Sequence, residues 1–361
     1  MTVFALVAGG GTGGHVYPAI ALADALVADG HARTEIHFVG AQRGLEATAV
    51  PAAGFSIDLL PGRGLQRRLT VANIGALYEN VVAFWRAFRL VGRLRPRVVV
   101  GVGGYASLPS VVAAWIRRIP IVVHEQNAAP GLANRVATRL GAKVAVAIPG
   151  TPLTGATVVG NPVRREVLDV ERAPQSDRVL VGVFGGSLGA RRINDSVLGC
   201  YDLWRHRATL AVRHVAGRRD YADCVQRLDS MRREDDALHY ELVEYEDDMP
   251  GLYARSGLMV CRAGAVTVAE LAAAGVPAIL VPLPGAPGDH QTANAKAFAS
   301  NGAAVVLADA ECTSDRLAEV VEPLIGDPER LQAMGRAARD QARPDAAVAL
   351  AALVEGAARA A

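Results

Sequence analysis

The chain has 361 residues, enough for two domains of ordinary size that each bury a core of their own. Its 38 basic and 36 acidic side chains leave a net charge of only +2, so it lacks the overall positive charge of a nucleic-acid-binding protein. Its four cysteines are far apart in the sequence and show no metal-ligand or redox spacing, which favours a reducing cytosol.

Short apolar runs alternate with amphipathic helical stretches along the whole chain, which is typical of parallel sheets covered by helices. The runs predict two series of strands, at 3–7, 35–39, 98–102, 121–124 and 144–147, and at 179–184, 211–215, 258–261, 278–281 and 304–306. Residues 149–164 contain three prolines and are predicted to be a linker, with the domain boundary near Asn161 and Pro162. The alanine-rich stretch 345–361 is predicted to be a final helix.

The first predicted strand runs into a glycine-rich turn at 9–14 with the spacing G-x-G-x-x-G, which suits a phosphate at a helix N-terminus. Nicotinamide-dependent oxidoreductases share this spacing but carry an acidic residue after the second strand, where this chain has Gly40-Ala41-Gln42-Arg43. That alternative is therefore disfavoured. His15 follows the turn directly, at the edge of the sheet where ligands bind, and this place favours a catalytic role over that of an ordinary polar residue.

The second series carries similar features. Residues 185–190 form another glycine-rich turn, in which Ser187 adds a hydroxyl to the backbone donors. Residues 262–270 follow a strand and begin a helix whose Glu270 is placed to bind ribose hydroxyls. Polar runs close a strand at 124–127 and follow one at 289–291, which suits a ligand with many hydroxyls, such as a sugar.

Seven motifs in order carry a resemblance to a known family: GGGTGGHVYPA, VGVGGYAS, HEQNAAPGLANR, GNPVR, GGSLGARRIN, CRAGAVTVAEL and GDHQTANA. Over nearly the whole chain they resemble the MurG family of UDP-N-acetylglucosamine transferases. The resemblance implies an α/β protein of GT-B fold, with two Rossmann-like domains whose parallel sheets face a central cleft. Residues 1–162 would bind the acceptor and the membrane, joined by the helix 345–361, and residues 163–344 would bind UDP-N-acetylglucosamine.

Site residues follow from matching the motifs position by position. The resemblance implies His15 and Glu125 as catalytic residues, and Tyr105 and Asn134 on the acceptor side. It implies that the UDP-sugar is bound by Thr12, Gly13, Gly14, Asn127, Arg164, Ser187, Glu246, Arg262, Ala265, Val266, Thr267, Val268, Ala269, Glu270 and Gln291. Leu188 and His290 depart from residues common in the family.

The implied reaction is an inverting transfer of N-acetylglucosamine from UDP to the 4-hydroxyl of the muramic sugar of undecaprenyl-pyrophosphoryl-MurNAc-pentapeptide (lipid I). Its product, lipid II, serves peptidoglycan synthesis and thus cell-wall biogenesis, cell shape and cell division. No Asp-x-Asp occurs, so no tightly bound cofactor is predicted, and stimulation by a free divalent cation stays open, as do contacts with cell-wall and division proteins. The alternatives are a GT-B transferase with another lipid or natural-product acceptor and, more remotely, an NAD(P)-dependent oxidoreductase.

Apolar residues recur at helical spacing between residues 74 and 88, and eight arginines but only one acid lie between 63 and 97. We predict that this stretch docks on anionic lipid at the cytoplasmic face of the bacterial membrane, as a peripheral contact. The residues proposed for the contact are Ile74, Phe84, Trp85, Arg86, Phe88, Arg89 and Trp115. The alternative is an ordinary helix that faces the core.

Overall fold

The computed structural model describes residues 3–42, 44–61, 72–104, 106–173, 177–186 and 189–360. For residues 72–78 it describes the backbone alone. The chain divides into two compact units. Unit 1 comprises Met1–Arg164 and Arg343–Ala361, and unit 2 comprises Arg165–Ala342.

Unit 1 is built on a seven-stranded sheet in which every pairing is parallel, in the order β3-β2-β1-β4-β5-β6-β7. Its strands are β1 Ala5–Ala8, β2 Ile36–Ala41, β3 Ser56–Leu60, β4 Val98–Gly101, β5 Ile121–Glu125, β6 Lys143–Val146 and β7 Ala156–Val158. Its first helices are α1 Gly13–Ala28, α2 Glu46–Ala52, α3 Ala72–Leu94, α4 Ser107–Ile116 and α5 Leu132–Arg139. The strand order reverses between β1 and β4, and ligands bind at such switch points in open parallel sheets.

Unit 2 repeats this plan with six parallel strands in the order β10-β9-β8-β11-β12-β13. The strands are β8 Val179–Phe184, β9 Leu210–Val215, β10 His239–Val243, β11 Leu258–Cys261, β12 Ala278–Leu280 and β13 Ala304–Val306. The helices are α6 Arg165–Leu168, α7 Arg191–Trp204, α8 Tyr221–Met231, α9 Met249–Arg255, α10 Ala265–Ala274, α11 His290–Ala299, α12 Ser314–Ile325 and α13 Pro328–Arg339. Its switch point lies between β8 and β11.

The last helix, α14 Ala346–Arg359, belongs to unit 1, where it packs against α1. Its Leu350 and Val354 are fully buried in the same apolar cluster as Leu22 and Leu26 of α1. On its polar side Glu355 lies 3.2 Å from the Nε2 of His31. The helix thus covers one face of the first sheet.

The two parallel sheets confirm the predicted α/β class, and all ten predicted strands are present with small shifts at their ends. Three strands were not predicted: β3, β7 and β10, each at the edge of its sheet. Because β7 pairs with β6, the stretch 149–164 is not the plain linker that its prolines predict. Within the described part of the chain, no helix combines the length and the apolar character needed to cross a membrane.

Candidate functional site

A buried carboxylate holds the glycine-rich turn that follows β1. Glu46, the first residue of α2, is 2% exposed and accepts hydrogen bonds from the backbone N–H groups of Gly11 (2.8 Å) and Ala41 (2.7 Å). A Cβ on Gly10 would lie 2.1 Å from a Glu46 oxygen, so the turn needs glycine there. Because the Gly11 N–H is already used by this carboxylate, it is not a donor for the phosphate site that the spacing predicts, and that site stays a prediction.

His15 lies in the first turn of α1, at the carboxyl edge of the first sheet. Its Nδ1 is 3.1 Å from the Oγ1 of Thr12, the residue that precedes the helix. A proton on Nδ1, donated to that hydroxyl, leaves Nε2 as the basic nitrogen. The half-buried ring lies against the turn after β4, where a Cβ on Gly103 would be 2.9 Å from Nε2.

Glu125, at the end of β5, is 2% exposed, and both of its oxygens accept internal hydrogen bonds. Oε1 accepts from the backbone and side-chain nitrogens of Asn127 (3.0 and 3.2 Å). Oε2 accepts from the N–H of Gly131 and from the side chain of Asn134, each at 2.9 Å. The carboxylate therefore positions these neighbours, and the catalytic role of Glu125 stays a prediction.

The histidine before it, His124, is fully buried. Its Nε2 donates to the carbonyl of Gly160 (2.9 Å), and its Nδ1 accepts from the side-chain nitrogen of Gln126 (3.2 Å). Burial lowers the pKa of His124 to about 4, so the ring is neutral at pH 7. The polar run 124–127 is thus one connected network.

The remaining predicted residues of unit 1 surround this edge of the sheet. Thr12 is exposed, and Gly13 and Gly14 begin α1. Asn134 is 2% exposed, and the guanidinium of Arg164 lies 5.6 Å from the centre of the Tyr17 ring on α1. Tyr105 falls outside the described residues.

In unit 2 the turn after β8 packs closely on the end of β9. A Cβ on Gly189 would lie 2.2 Å from the carbonyl oxygen of Ala216, so this position needs glycine. The amide of the buried Asn194 on α7 donates to the same carbonyl (2.9 Å), which fixes the helix start. The predicted phosphate contact, Ser187, falls outside the described residues.

The N-terminus of α10 is the clearest anion-binding feature of unit 2. Residues 265–270, predicted to bind the nucleotide, form its first turn and a half, with no acidic side chain in the first turn and no side-chain cap. The first N–H groups of a helix have no partner within the helix, and the helix dipole adds positive potential. Glu270 is 6% exposed and accepts a hydrogen bond of 3.0 Å from the hydroxyl of Tyr253.

Arg262, which follows β11, makes several internal contacts. Its Nη1 donates to the carbonyls of Val281 (3.0 Å) and Pro282 (3.1 Å) and to Asp309 (2.6 Å). These contacts tie the end of β11 to the segments that follow β12 and β13. The nucleotide-binding role of Arg262 stays a prediction.

Two further predicted residues of unit 2 also make internal contacts. The carboxylate of Glu246 accepts from Arg213 (2.9 Å) and from the N–H of Asp248 (3.2 Å), so a base contact from this position requires its backbone. Gln291, in the first turn of α11, accepts from the N–H of Leu283 (2.9 Å) through its Oε1. A sugar contact from Gln291 therefore requires its amide nitrogen.

The predicted membrane residues lie on α3 and α4, which pack together. Trp85 is 56% and Trp115 50% exposed, and Val81, Ile116, Arg86, Arg89 and Arg118 are exposed beside them in sequence. We call these seven residues the aromatic-basic surface. Phe84 is half-buried, and Phe88 is covered by the guanidinium of Arg117, 4.0 Å above its ring, so Phe88 is not part of that surface. The side chain of Ile74 falls outside the described ones.

Two residues of the unit 1 edge escaped the sequence reasoning. Both are buried at the carboxyl edge of the first sheet. Glu46 lies under the turn between β1 and α1, and Gln126 lies beside His124. Gln126 stands within the polar run 124–127, and that run was its only signal. Glu46 lies at the start of a short helix, and no feature of the sequence around it indicated its role.

Known proteins resemble the chain over its whole length. The models of the glycosyltransferase family 28 N-terminal and C-terminal domains match residues 5–146 and 180–350. Relatives named UDP-N-acetylglucosamine--N-acetylmuramyl-(pentapeptide) pyrophosphoryl-undecaprenol N-acetylglucosamine transferase are 42% identical in Myxococcus xanthus (96% of this chain, 91% of the relative) and 42% identical in Alkalilimnicola ehrlichii (97% and 98%). The crystal structure of Acinetobacter baumannii MurG superposes with a TM-score of 0.80 at 30% identity, covering 98% of this chain and 99% of that one.

Proposed function

The chain belongs to glycosyltransferase family 28, and we propose that it transfers N-acetylglucosamine from UDP-N-acetylglucosamine to the N-acetylmuramyl sugar of lipid I, forming lipid II for peptidoglycan synthesis. The observation that carries the proposal is the 42% identity over 96% of the chain to relatives named for this reaction. The GT-B fold, with its two parallel-sheet units, supports it.

Unit 2 is the proposed donor unit. The backbone N–H groups at the start of α10 and the turn after β8 would stabilise the negative charge on the departing diphosphate. Glu270 would accept hydrogen bonds from the ribose, with its carboxylate oriented by Tyr253. The amide nitrogen of Gln291 would bind a sugar hydroxyl.

Unit 1 is the proposed acceptor unit, with His15 as the general base. An α-linked donor and a β-linked product require inversion, and a single in-line displacement needs one base for the attacking hydroxyl. The Nε2 of His15 is suited to this task because Nδ1 is engaged by Thr12. Asn127 and Asn134, both oriented by Glu125, would contact the sugars.

The aromatic-basic surface gives a reason for peripheral contact with the cytoplasmic face of the membrane, where a polyprenyl-linked acceptor is anchored. Its tryptophans would enter the headgroup region while its arginines attract anionic lipid.

The test of the proposed function is a transfer assay with purified protein, radiolabelled UDP-N-acetylglucosamine and a soluble short-chain analogue of lipid I. We expect release of UDP and a β-1,4-linked disaccharide, identified by NMR, with UDP-glucose and UDP-N-acetylgalactosamine as poor donors. Transfer only to a different lipid or natural-product acceptor would identify another GT-B activity. Absence of transfer to any acceptor would reject the proposal.

A further inference from the structure

Gln126 is held at only one end of its amide. It is 1% exposed, and its Nε2 donates to the carbonyl of Val102 (3.0 Å) and to Nδ1 of His124 (3.2 Å). Its Oε1 is buried and has no hydrogen-bond partner within the part of the chain that the structure describes. An unpaired buried carbonyl oxygen is costly, so it calls for a partner that arrives during function.

His124 fixes which way this amide points. Because its Nε2 carries the proton that is donated to Gly160, its Nδ1 can only accept a hydrogen bond. Gln126 must therefore turn its NH2 group toward His124 and its oxygen away. Burial lowers the pKa of His124 to about 4, so this orientation is kept throughout the neutral range.

Gln126 Oε1 and His15 Nε2 both lie beside Gly103. From the position that a Cβ would occupy on Gly103, Gln126 Oε1 is 3.9 Å away and His15 Nε2 is 2.9 Å away. Gly103 has a φ of +90° and no side chain, so no side chain of this residue fills the space next to the two groups. Among the residues that the structure describes, the other titratable or charged groups near this edge include His124 and Glu125 on β5, Glu46 on α2, and Arg164 over Tyr17 of α1.

We propose that Gln126 is a positioning residue for His15, whose Oε1 shares the Nε2–H of the imidazolium with the acceptor oxygen during transfer. The proposal rests on the proposed function of His15 as the base. The acceptor oxygen bonds to C1 of N-acetylglucosamine while the bond from C1 to UDP breaks, the electron pair leaves with UDP, and the hydroxyl proton moves to Nε2. The ring then has two N–H donors, one directed to Thr12 and the other shared between the acceptor oxygen and Gln126.

Gln126→Met tests this, because it keeps the length of the side chain and removes the acceptor. We expect kcat to fall about tenfold at pH 8. In the plot of kcat against pH, the acid limb should move to lower pH by about one unit. Both effects have the size of one lost hydrogen bond to a charged group. The shift is downward because a less stable imidazolium loses its proton at lower pH. Damage to the fold would instead move the acid limb to higher pH, because a less stable protein loses its activity earlier as the pH falls.

Gln341→Met in unit 2 is the matched control, since that amide donates to the carbonyls of Phe298 (3.0 Å) and Ala337 (3.3 Å) in a purely structural setting. Its acid limb should not move. Gln126→Asn, which retains an amide but withdraws its oxygen, is the second variant and should shift the limb in the same direction.

An NMR titration of the His15 ring in the unliganded protein separates this inference from the proposed function. We expect the ring to titrate at lower pH in Gln126→Met than in the parent. Unchanged turnover in His15→Ala would reject the base but leave this titration shift standing. Identical His15 titration in the parent and both Gln126 variants would overturn the inference.

Discussion

Two ionisable side chains at the carboxyl edge of the first sheet differ in how their polar atoms are used. Glu125 is buried with internal donors on both oxygens, whereas the ring of His15 is half-buried with its Nε2 on the side of the Gly103 turn. A group that takes a proton from a substrate must be reachable by it. This contrast favours His15 as the base and leaves Glu125 to orient the asparagines.

We expect His15→Ala to lower kcat by about a hundredfold or more, the usual effect of losing a general base, while the affinity for UDP stays unchanged. Steady-state kinetics and UDP titration by tryptophan fluorescence measure the two effects. His31→Ala is the control, because His31 stacks on Phe4 at 3.7 Å and pairs with α14 instead of facing the site. Parent-like turnover in His15→Ala would contradict the assignment.

The sequence places His15 directly after a strand and a turn, and the structure has it there, at the start of α1. Its role as the base stays a prediction. Sequence reasoning missed Glu46, because the contact with Gly11 spans 35 residues and a carboxylate at the start of a helix is ordinarily solvated. It also missed the contact between Arg262 and Asp309, since nothing in the local pattern reveals that a residue 47 positions away binds Arg262.

At the scale of elements, the strands that could be predicted are the buried ones, because a strand buried on both faces has a continuous run of apolar residues. All four residues of β1, β4 and β11 are buried, and each was predicted. The missed strands β3, β7 and β10 are edge strands of mixed exposure, so their sequences carry polar residues such as Asp58, Thr157 and Glu241. Edge pairing is set by the neighbouring strand, which the local sequence does not encode.

Glu46 stabilises the turn between β1 and α1, so removing its carboxylate should destabilise that turn. We expect Glu46→Ala to reduce the free energy of unfolding by about 1–3 kcal/mol for each of the two N–H groups left unpaired. We also expect turnover to fall about tenfold, with UDP affinity unchanged, because the turn carries His15. Urea denaturation and kinetics measure both.

Glu35→Ala is the control for this change, because Glu35 also accepts a backbone N–H, that of Ala32 at 2.9 Å, but at an exposed site. The Glu35→Ala substitution should reduce the free energy of unfolding by much less than Glu46→Ala does. Equal effects of the two substitutions would show that the buried carboxylate is not what holds the turn.

Two buried histidines, one at the end of β5 and one on β9, make stability depend on pH. Burial lowers the pKa of His124 to about 4 and that of His214 to about 3, against about 6.5 in the unfolded chain. As pH falls below about 6.5 the unfolded chain gains protons that the folded chain does not, so stability present above that pH is lost progressively toward pH 4.

We therefore expect the free energy of unfolding to fall by up to about 1.4 kcal/mol per pH unit for each histidine between pH 6 and pH 4. Urea denaturation at several pH values measures the slope. His214→Gln should reduce it, and an unchanged slope in that variant would contradict the role of burial.

At the scale of the whole molecule, the net charge of +2 conceals a local excess of arginine. The aromatic-basic surface places Trp85, Arg86 and Arg89 on α3 and Trp115 and Arg118 at the end of α4, all exposed. Long-range charge thus gives little attraction to anionic lipid, and this surface would have to provide it.

We expect Trp85→Gln with Trp115→Gln, or Arg86→Glu with Arg89→Glu, to weaken binding to anionic liposomes about tenfold or more, from roughly 1 kcal/mol per basic residue near the surface. Turnover of the soluble acceptor should survive, and added salt should mimic the charge reversal. Leu203→Gln, an exposed apolar residue of unit 2, is the control in a liposome sedimentation assay. Undiminished binding in both double variants would place the membrane contact elsewhere.

The path of the chain through the two units has a consequence for its synthesis. Unit 2 lies wholly between the two parts of unit 1 in the sequence, and α14 buries Leu350, Ala351 and Val354 in the core of unit 1. As the polypeptide leaves the ribosome, unit 2 has all its residues while the first sheet still lacks the helix that covers one face. The part that is translated first is therefore completed last, and until α14 is translated every unfinished chain exposes the apolar residues that this helix covers.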